Sequence, residues 1–215
     1  MKEAIIDTWH DLIAFIKNPE DRERPEQDLK SKAKRLFSVL AIELPVMAIL
    51  VALMQGIEQL GLFNSEDHKV EDLFEMLSPL NLLLVAGVGL PFIEELIFRF
   101  SLRLKRNYPI QLIISIATFL TEKDIRLYLE EKWHRYYKYL FYSSAIGFAL
   151  VHIFNFELSL SVLLVAPILI APQFLMGLFM GYLRMKCGFI WGFFLHAIHN
   201  TILIGLALVF LKEMI

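Results

Sequence analysis

Residues 91–100 read PFIEELIFRF, closing an apolar run that opens at Pro79 with PLNLLLVAGVGL. This stretch has the length and apolarity of a membrane span, yet it carries Glu94, Glu95 and Arg99. A charged side chain near the middle of a bilayer costs at least ~2.5 kcal/mol, so it must be paired or turned toward protein or water. On a helix Glu95 and Arg99 stand four apart on one face, where each neutralises the other. Glu94 lies about 100° further round and has no such partner in the stretch. One carboxylate is therefore explained by scaffolding, and its neighbour needs a second reason.

The rest of the chain fits a membrane setting. Of 215 residues 57% are hydrophobic, including 18 Phe, and the mean hydropathy is +0.55. Those values, gathered into long runs, exceed what a soluble domain carries. The formal charge of −2 offers no argument for nucleic acid, whose binding needs a concentrated positive surface. A single cysteine, Cys187, excludes an intrachain disulfide and a Cys-based zinc cluster. The first twenty residues lack the basic start and unbroken apolar core of a signal peptide, so the first internal span is expected to direct insertion.

Outward from the opening stretch, the pattern predicts an all-α, polytopic membrane helix bundle. Residues 1–35 form an N-terminal region. Its first helix carries an apolar stripe of Ile5, Ile6, Trp9, Leu12, Ile13 and Ile16, suited either to the membrane interface or to packing on the bundle. A polar connector follows, helical after Pro25. The bundle occupies 36–215, with spans at 36–57, 79–102, 139–157, 160–183 and 189–210. Glu43 precedes Pro45 in the first, which predicts an inward Glu at a kink. Gly87, Gly89 and Pro91 predict close approach and a kink in the second. Pro167 and Pro172 predict a bend in the fourth. The apolar run 110–120 is too short for a ~30 Å crossing, giving five full spans plus a re-entrant segment, with six spans the alternative. In the five-span version the basic stretches 17–35, 103–138 and 184–186 share one side, with the N-terminus cytoplasmic. The acidic loops 58–78 and 154–159 take the other.

Three more polar positions lie within predicted spans: His152 four residues after Phe148, and His196 four before Asn200, with His199 flanking. Interhelical hydrogen bonding accounts for such groups singly. Glu, Arg, His and Asn together on three spans exceed what structural bonding requires. Two hydrolytic schemes suit them. Glu94, His152 and His196 form a possible zinc set, although HExxH and any Cys cluster are lacking. Without metal, Glu94 helped by His152 takes a proton from water, while His196 and Asn200 donate to an oxyanion. No G-x-S-x-G elbow is present. A proton- or ion-conducting transporter would also use buried Glu and His, but the chain has no evident inverted repeat.

These residues resemble the motifs of the CAAX-protease and bacteriocin-processing family of intramembrane endopeptidases. E-E-x-x-x-R is matched by Glu94, Glu95 and Arg99, F-x-x-x-H by Phe148 and His152, and H-x-x-x-N by His196 and Asn200. The motifs occur in order on separate spans, and the resemblance covers about 79–205. It implies a peptidase cleaving a membrane-associated peptide or protein in the lipid bilayer, in a bacterial cell membrane. It implies Glu94 as the water-activating group, His152 as its partner, and His196 with Asn200 at the transition state. Glu95, Arg99, Phe148 and His199 are then supporting residues. No cofactor is expected; zinc is the alternative, and a non-catalytic, peptide-binding relative is the rival reading. Two departures stand out: Phe100 replaces the Gly that often follows the motif Arg, and 107–138 lengthens the gap before Phe148.

Overall fold

The computed structural model describes residues 2–22, 27–61, 74, 76–121 and 125–213, the last four without their side chains, and its regular elements are helices. Glu66, Asp67, Glu71, Asp72 and Glu75 of the predicted loop 58–78, and Pro25, lie outside the described residues. Helix α1 (Lys2–Lys17) buries Ala4, Thr8, Leu12 and Phe15 against the bundle. Its core-facing stripe is rotated from the predicted one: Leu12 is shared, whereas Ile6 and Trp9 stay exposed. Phe15 sets the contact, meeting the rings of Phe141 at 5.3 Å and Tyr182 at 5.7 Å edge-on.

Helix α2 (Leu29–Gln59) starts where Asp28 accepts the amide of Ser31 at 3.0 Å, an N-cap bond. The second span is built in three pieces. These are α3 (Pro79–Leu82), a π-helical segment (Leu83–Gly89) and α4 (Leu90–Phe98). The predicted kink is this π segment, and Pro91 explains part of it. The Leu90 amide reaches back five residues to the Val85 carbonyl, and Pro91 has no N–H with which to restore the α-helical ladder. Gly87 lets the segment approach the last helix, since a Cβ there would stand 3.0 Å from the Thr201 hydroxyl.

Helix α5 (Tyr108–Thr121) is the short apolar element, and only Ile114 of it is buried. Helix α6 (Arg126–Val151) follows, then α7 (Leu160–Leu169), α8 (Ala171–Lys186) and α9 (Phe189–Glu213). The predicted bend of the fourth span is the break at Ile170 between α7 and α8, with Pro172 in the first turn of α8. Four helical stretches among the described residues are long and apolar enough to cross a membrane: Leu29–Gln59, Pro79–Leu102, Leu160–Lys186 and Phe189–Val209. The expected span at 139–157 is instead the apolar C-terminal part of α6, whose first half is basic and aromatic.

The centre of the bundle is α8, every residue of which from Met176 to Lys186 is buried. It packs against α1, α2, α6, α7 and α9. Outward-facing residues of the spans, such as Leu84, Val88, Ile93 and Ile97, remain exposed, as suits side chains that meet lipid. The protein is an integral, multi-pass membrane protein. One end gathers the basic stretches as the charge pattern predicts. Asp11 accepts from Lys186 and Arg35, and from the Tyr182 hydroxyl at 2.8 Å. Asp21 accepts from the Leu104 amide at 2.9 Å and the Trp133 indole at 3.0 Å. Arg103 donates to the Met185 carbonyl.

Candidate active site

The Glu95–Arg99 pair lies where the helical spacing puts it, 3.4 Å between Nη1 and Oε1, with both side chains sealed from solvent. The guanidinium lies over the Phe148 ring, 3.9 Å from its centroid, a cation–π contact strengthened by desolvation. The same ring meets His152 at 4.5 Å and His196 at 5.6 Å between centroids. Phe148 is thus the shared wall of the site, touching a member of each of the other motif groups. That is the physical content of an aromatic at this position.

His196 stands between two carboxylates. Its Nε2 is 3.5 Å from Glu94 and its Nδ1 is 3.5 Å from Glu95. Glu95 is closed off, whereas the side chain of Glu94 keeps 27% of its exposure. Gly192, one turn earlier on α9, makes this approach possible. A Cβ there would fall 3.0 Å from the Met180 carbonyl and 3.2 Å from the Glu95 carboxylate.

His152 closes α6 and begins a short 3-10 turn, His152–Asn155, instead of continuing the helix. Its Nδ1 is 2.7 Å from the Phe148 carbonyl. A carbonyl only accepts, so Nδ1 carries the proton, and the lone pair of the neutral ring lies on Nε2. The side chain also satisfies a carbonyl that the end of the helix leaves without an amide.

Asn200 donates from Nδ2 to the Ala86 carbonyl at 3.1 Å. This carbonyl lacks its usual donors because Leu90 N–H serves Val85 and Pro91 has no N–H. The bond ties α9 to the π segment, fixes the amide, and leaves a second Nδ2 hydrogen. Functional sites frequently carry such π segments.

His199 takes a partner outside this cluster. Its Nδ1 is 2.7 Å from Glu43, whose side chain is wholly buried. Glu43 therefore turns inward as predicted, but its partner is a histidine of α9. His199, expected to flank His196 and Asn200, belongs to a second pair three residues along the helix. Among the described residues no three His, Cys, Asp or Glu side chains gather as a metal-holding group.

Two further residues support the site without a motif to announce them. Arg184 donates from Nε to the Arg99 carbonyl at 3.1 Å and from Nη2 to that of Phe100 at 3.2 Å. The Ser144 hydroxyl donates to the Phe98 carbonyl at 2.6 Å. Together they cap the end of α4, where the Arg99 carbonyl also accepts the Leu102 amide at 3.2 Å and the α-helical ladder supplies no further donors. In the sequence Arg184 is only part of a basic loop. Phe100 packs edge-on to Phe189 at 6.3 Å, so the position where the resemblance leads one to expect Gly is an aromatic contact here.

A family model described as type II CAAX prenyl endopeptidase Rce1-like matches residues 76–202. No curated protein and no solved structure matches the chain.

Proposed function

The chain belongs to the Rce1-like family of type II CAAX prenyl endopeptidases and is an intramembrane endopeptidase acting on a membrane-associated peptide; we propose that Glu94 is its general base. The observation that carries this assignment is the inequality of two adjacent carboxylates. Glu95 is sealed against Arg99, and Glu94 is partly open beside His196. Only an accessible carboxylate can exchange a proton with a substrate water.

In this reading Glu94 takes a proton from the water as its oxygen bonds to the scissile carbonyl carbon. The Nε2 lone pair of His152 accepts the water's other hydrogen and orients it. His196, held between the carboxylates, and the second Nδ2 hydrogen of Asn200 donate to the oxyanion. Glu94 then delivers its proton to the leaving amine as the C–N bond breaks. Glu95, Arg99 and Phe148 hold these groups in place, and every step uses residues of the chain itself.

The finer topology follows the charges. The apolar part of α6 serves as the fifth span, α5 is re-entrant or interfacial, and α1 lies at the interface with its exposed Ile6 and Trp9 toward lipid. The basic end is cytoplasmic, in a bacterial cell membrane. The decisive experiment is Glu94→Gln in the full chain reconstituted in liposomes, with cleavage of membrane peptides followed by mass spectrometry. Loss of cleavage with an unchanged melting temperature is expected. Unchanged cleavage removes Glu94 from the mechanism.

A further inference from the structure

Away from the active site, a cavity of about 530 Å³ opens at the basic end of the bundle. Arg22, Arg103, Lys105, Arg106 and His134 line it, against Asp21 and Glu130. Asp21 is occupied by the Leu104 amide and the Trp133 indole, and Arg22 lies 3.0 Å from Glu20. Among the described residues the lining carries an excess of cationic groups over acidic ones.

The level of this cavity is set by the spans. Pro79–Leu102 ends one residue before Arg103, and Arg103 donates to Met185 at the end of Leu160–Lys186. Two spans thus leave hydrocarbon at the rim, which is the depth of phospholipid phosphates. From the same rim runs α5, with Leu112, Ile113, Ile116, Phe119 and Leu120 exposed. In a membrane protein such a face meets acyl chains. A basic pocket at headgroup depth, with a greasy helix leading from it, matches both halves of an anionic phospholipid.

We propose that this cavity is a binding site for the phosphate-bearing headgroup of an anionic phospholipid, whose chains lie along α5. The occupant would hold the turn after α4 to the end of α8. It stands apart from Glu94 and does not rest on the peptidase mechanism.

The test uses the full chain in detergent, titrated with phosphatidylglycerol or phosphatidylcholine and read by native mass spectrometry. Lys105→Gln with Arg106→Gln removes two cavity charges and spares Arg103, which braces α8. Lys30→Gln with Lys32→Gln, at the start of α2, removes the same charge elsewhere. The cavity variant is expected to bind phosphatidylglycerol at least about tenfold more weakly, with the control within about threefold of the parent. Phosphatidylcholine binding should be unchanged in both. Equal losses in the two variants would reduce the effect to general surface charge and overturn the site. Retained binding in the cavity variant would do the same. Inorganic phosphate is the third probe. If the cavity variant loses phosphate but keeps phosphatidylglycerol, the site belongs to a soluble anion and the lipid assignment falls.

Discussion

Two carboxylate–histidine contacts converge on α9 three residues apart, and they differ in almost everything but their chemistry. At His196 the carboxylates come from one helix turn of α4, stand 3.5 Å off, and one of them keeps access to the outside. At His199 the carboxylate comes from α2, lies 2.7 Å away and has no exposure. A short sealed pair binds two helices together and has no route for water. A looser, half-open arrangement with a second carboxylate behind it can receive and return a proton. Access, more than the identity of the groups, separates the proposed catalytic pair from a brace.

Substitution at the two sites should therefore dissociate activity from stability. The largest effect is expected at Glu94. Replacing it by Gln should lower kcat by about 10³- to 10⁴-fold, in the upper range for loss of a general base, while the melting temperature stays near that of the parent. At Glu43 the pattern reverses. Glu43→Ala leaves His199 against an empty, buried position and should cost about 1–3 kcal/mol of stability, measured by denaturant titration in detergent micelles. Molecules that remain folded should keep kcat within about threefold, and Glu43→Gln should recover part of the loss. If Glu43→Gln abolished cleavage in a stable protein, the distinction between chemistry and brace would collapse.

Asn200 tests the boundary between the two kinds of site, because it holds a carbonyl and is also the proposed oxyanion donor. Asn200→Ala strands the Ala86 carbonyl, for about 1–2 kcal/mol of stability, and removes a proposed oxyanion donor, for about 10²-fold in kcat. Both should appear, in melting curves and in single-turnover rates respectively. A loss of stability alone would make Asn200 a tether of the π segment and nothing more.

How much of this was readable in the sequence depends on the range over which each contact is specified. Glu95–Arg99 is fixed by helical spacing, so it was legible from residue numbers alone. The grouping of Phe148, His152 and His196 came from the motifs, but the reason for Phe148 did not. Its ring serves Arg99, His152 and His196 at once, which only the crossing of three helices reveals. Glu43 could be read as inward-facing from its place in an apolar run, yet its partner required knowing that α2 passes His199. The bond from Asn200 to Ala86 had a local signal that periodicity overlooks. A proline five residues after Ala86 removes the amide that a π-helical turn would offer that carbonyl. Arg184 had no signal, since capping another helix from a distance leaves no spacing to recognise. The α1 stripe left two settings open for a related reason. Hydrophobicity alone cannot separate the side that meets the bundle from the side that meets lipid.

The smallest expected effect lies at the basic end, where Asp11 links α1 to α2 and α8. Burial raises its proton affinity, but donation by Lys186, Tyr182 and Arg35 more than offsets this and brings the carboxyl down to about 2. A depressed folded-state value means that the ionised pair contributes stability above the unfolded carboxyl's ~3.9. That contribution is lost as pH falls from there through about 2. Asp11 is partly exposed, so solvent screening holds the effect to about 1 kcal/mol or less. Asp11→Asn should remove it, flattening the fall in stability between about pH 4 and pH 2 without changing cleavage near neutrality. Melting curves at stepped pH, for parent and variant side by side, provide the measurement. A variant that keeps the parent's acid profile would show that α1 is held by Leu12 and Phe15 in the core, with the charged cluster contributing nothing measurable.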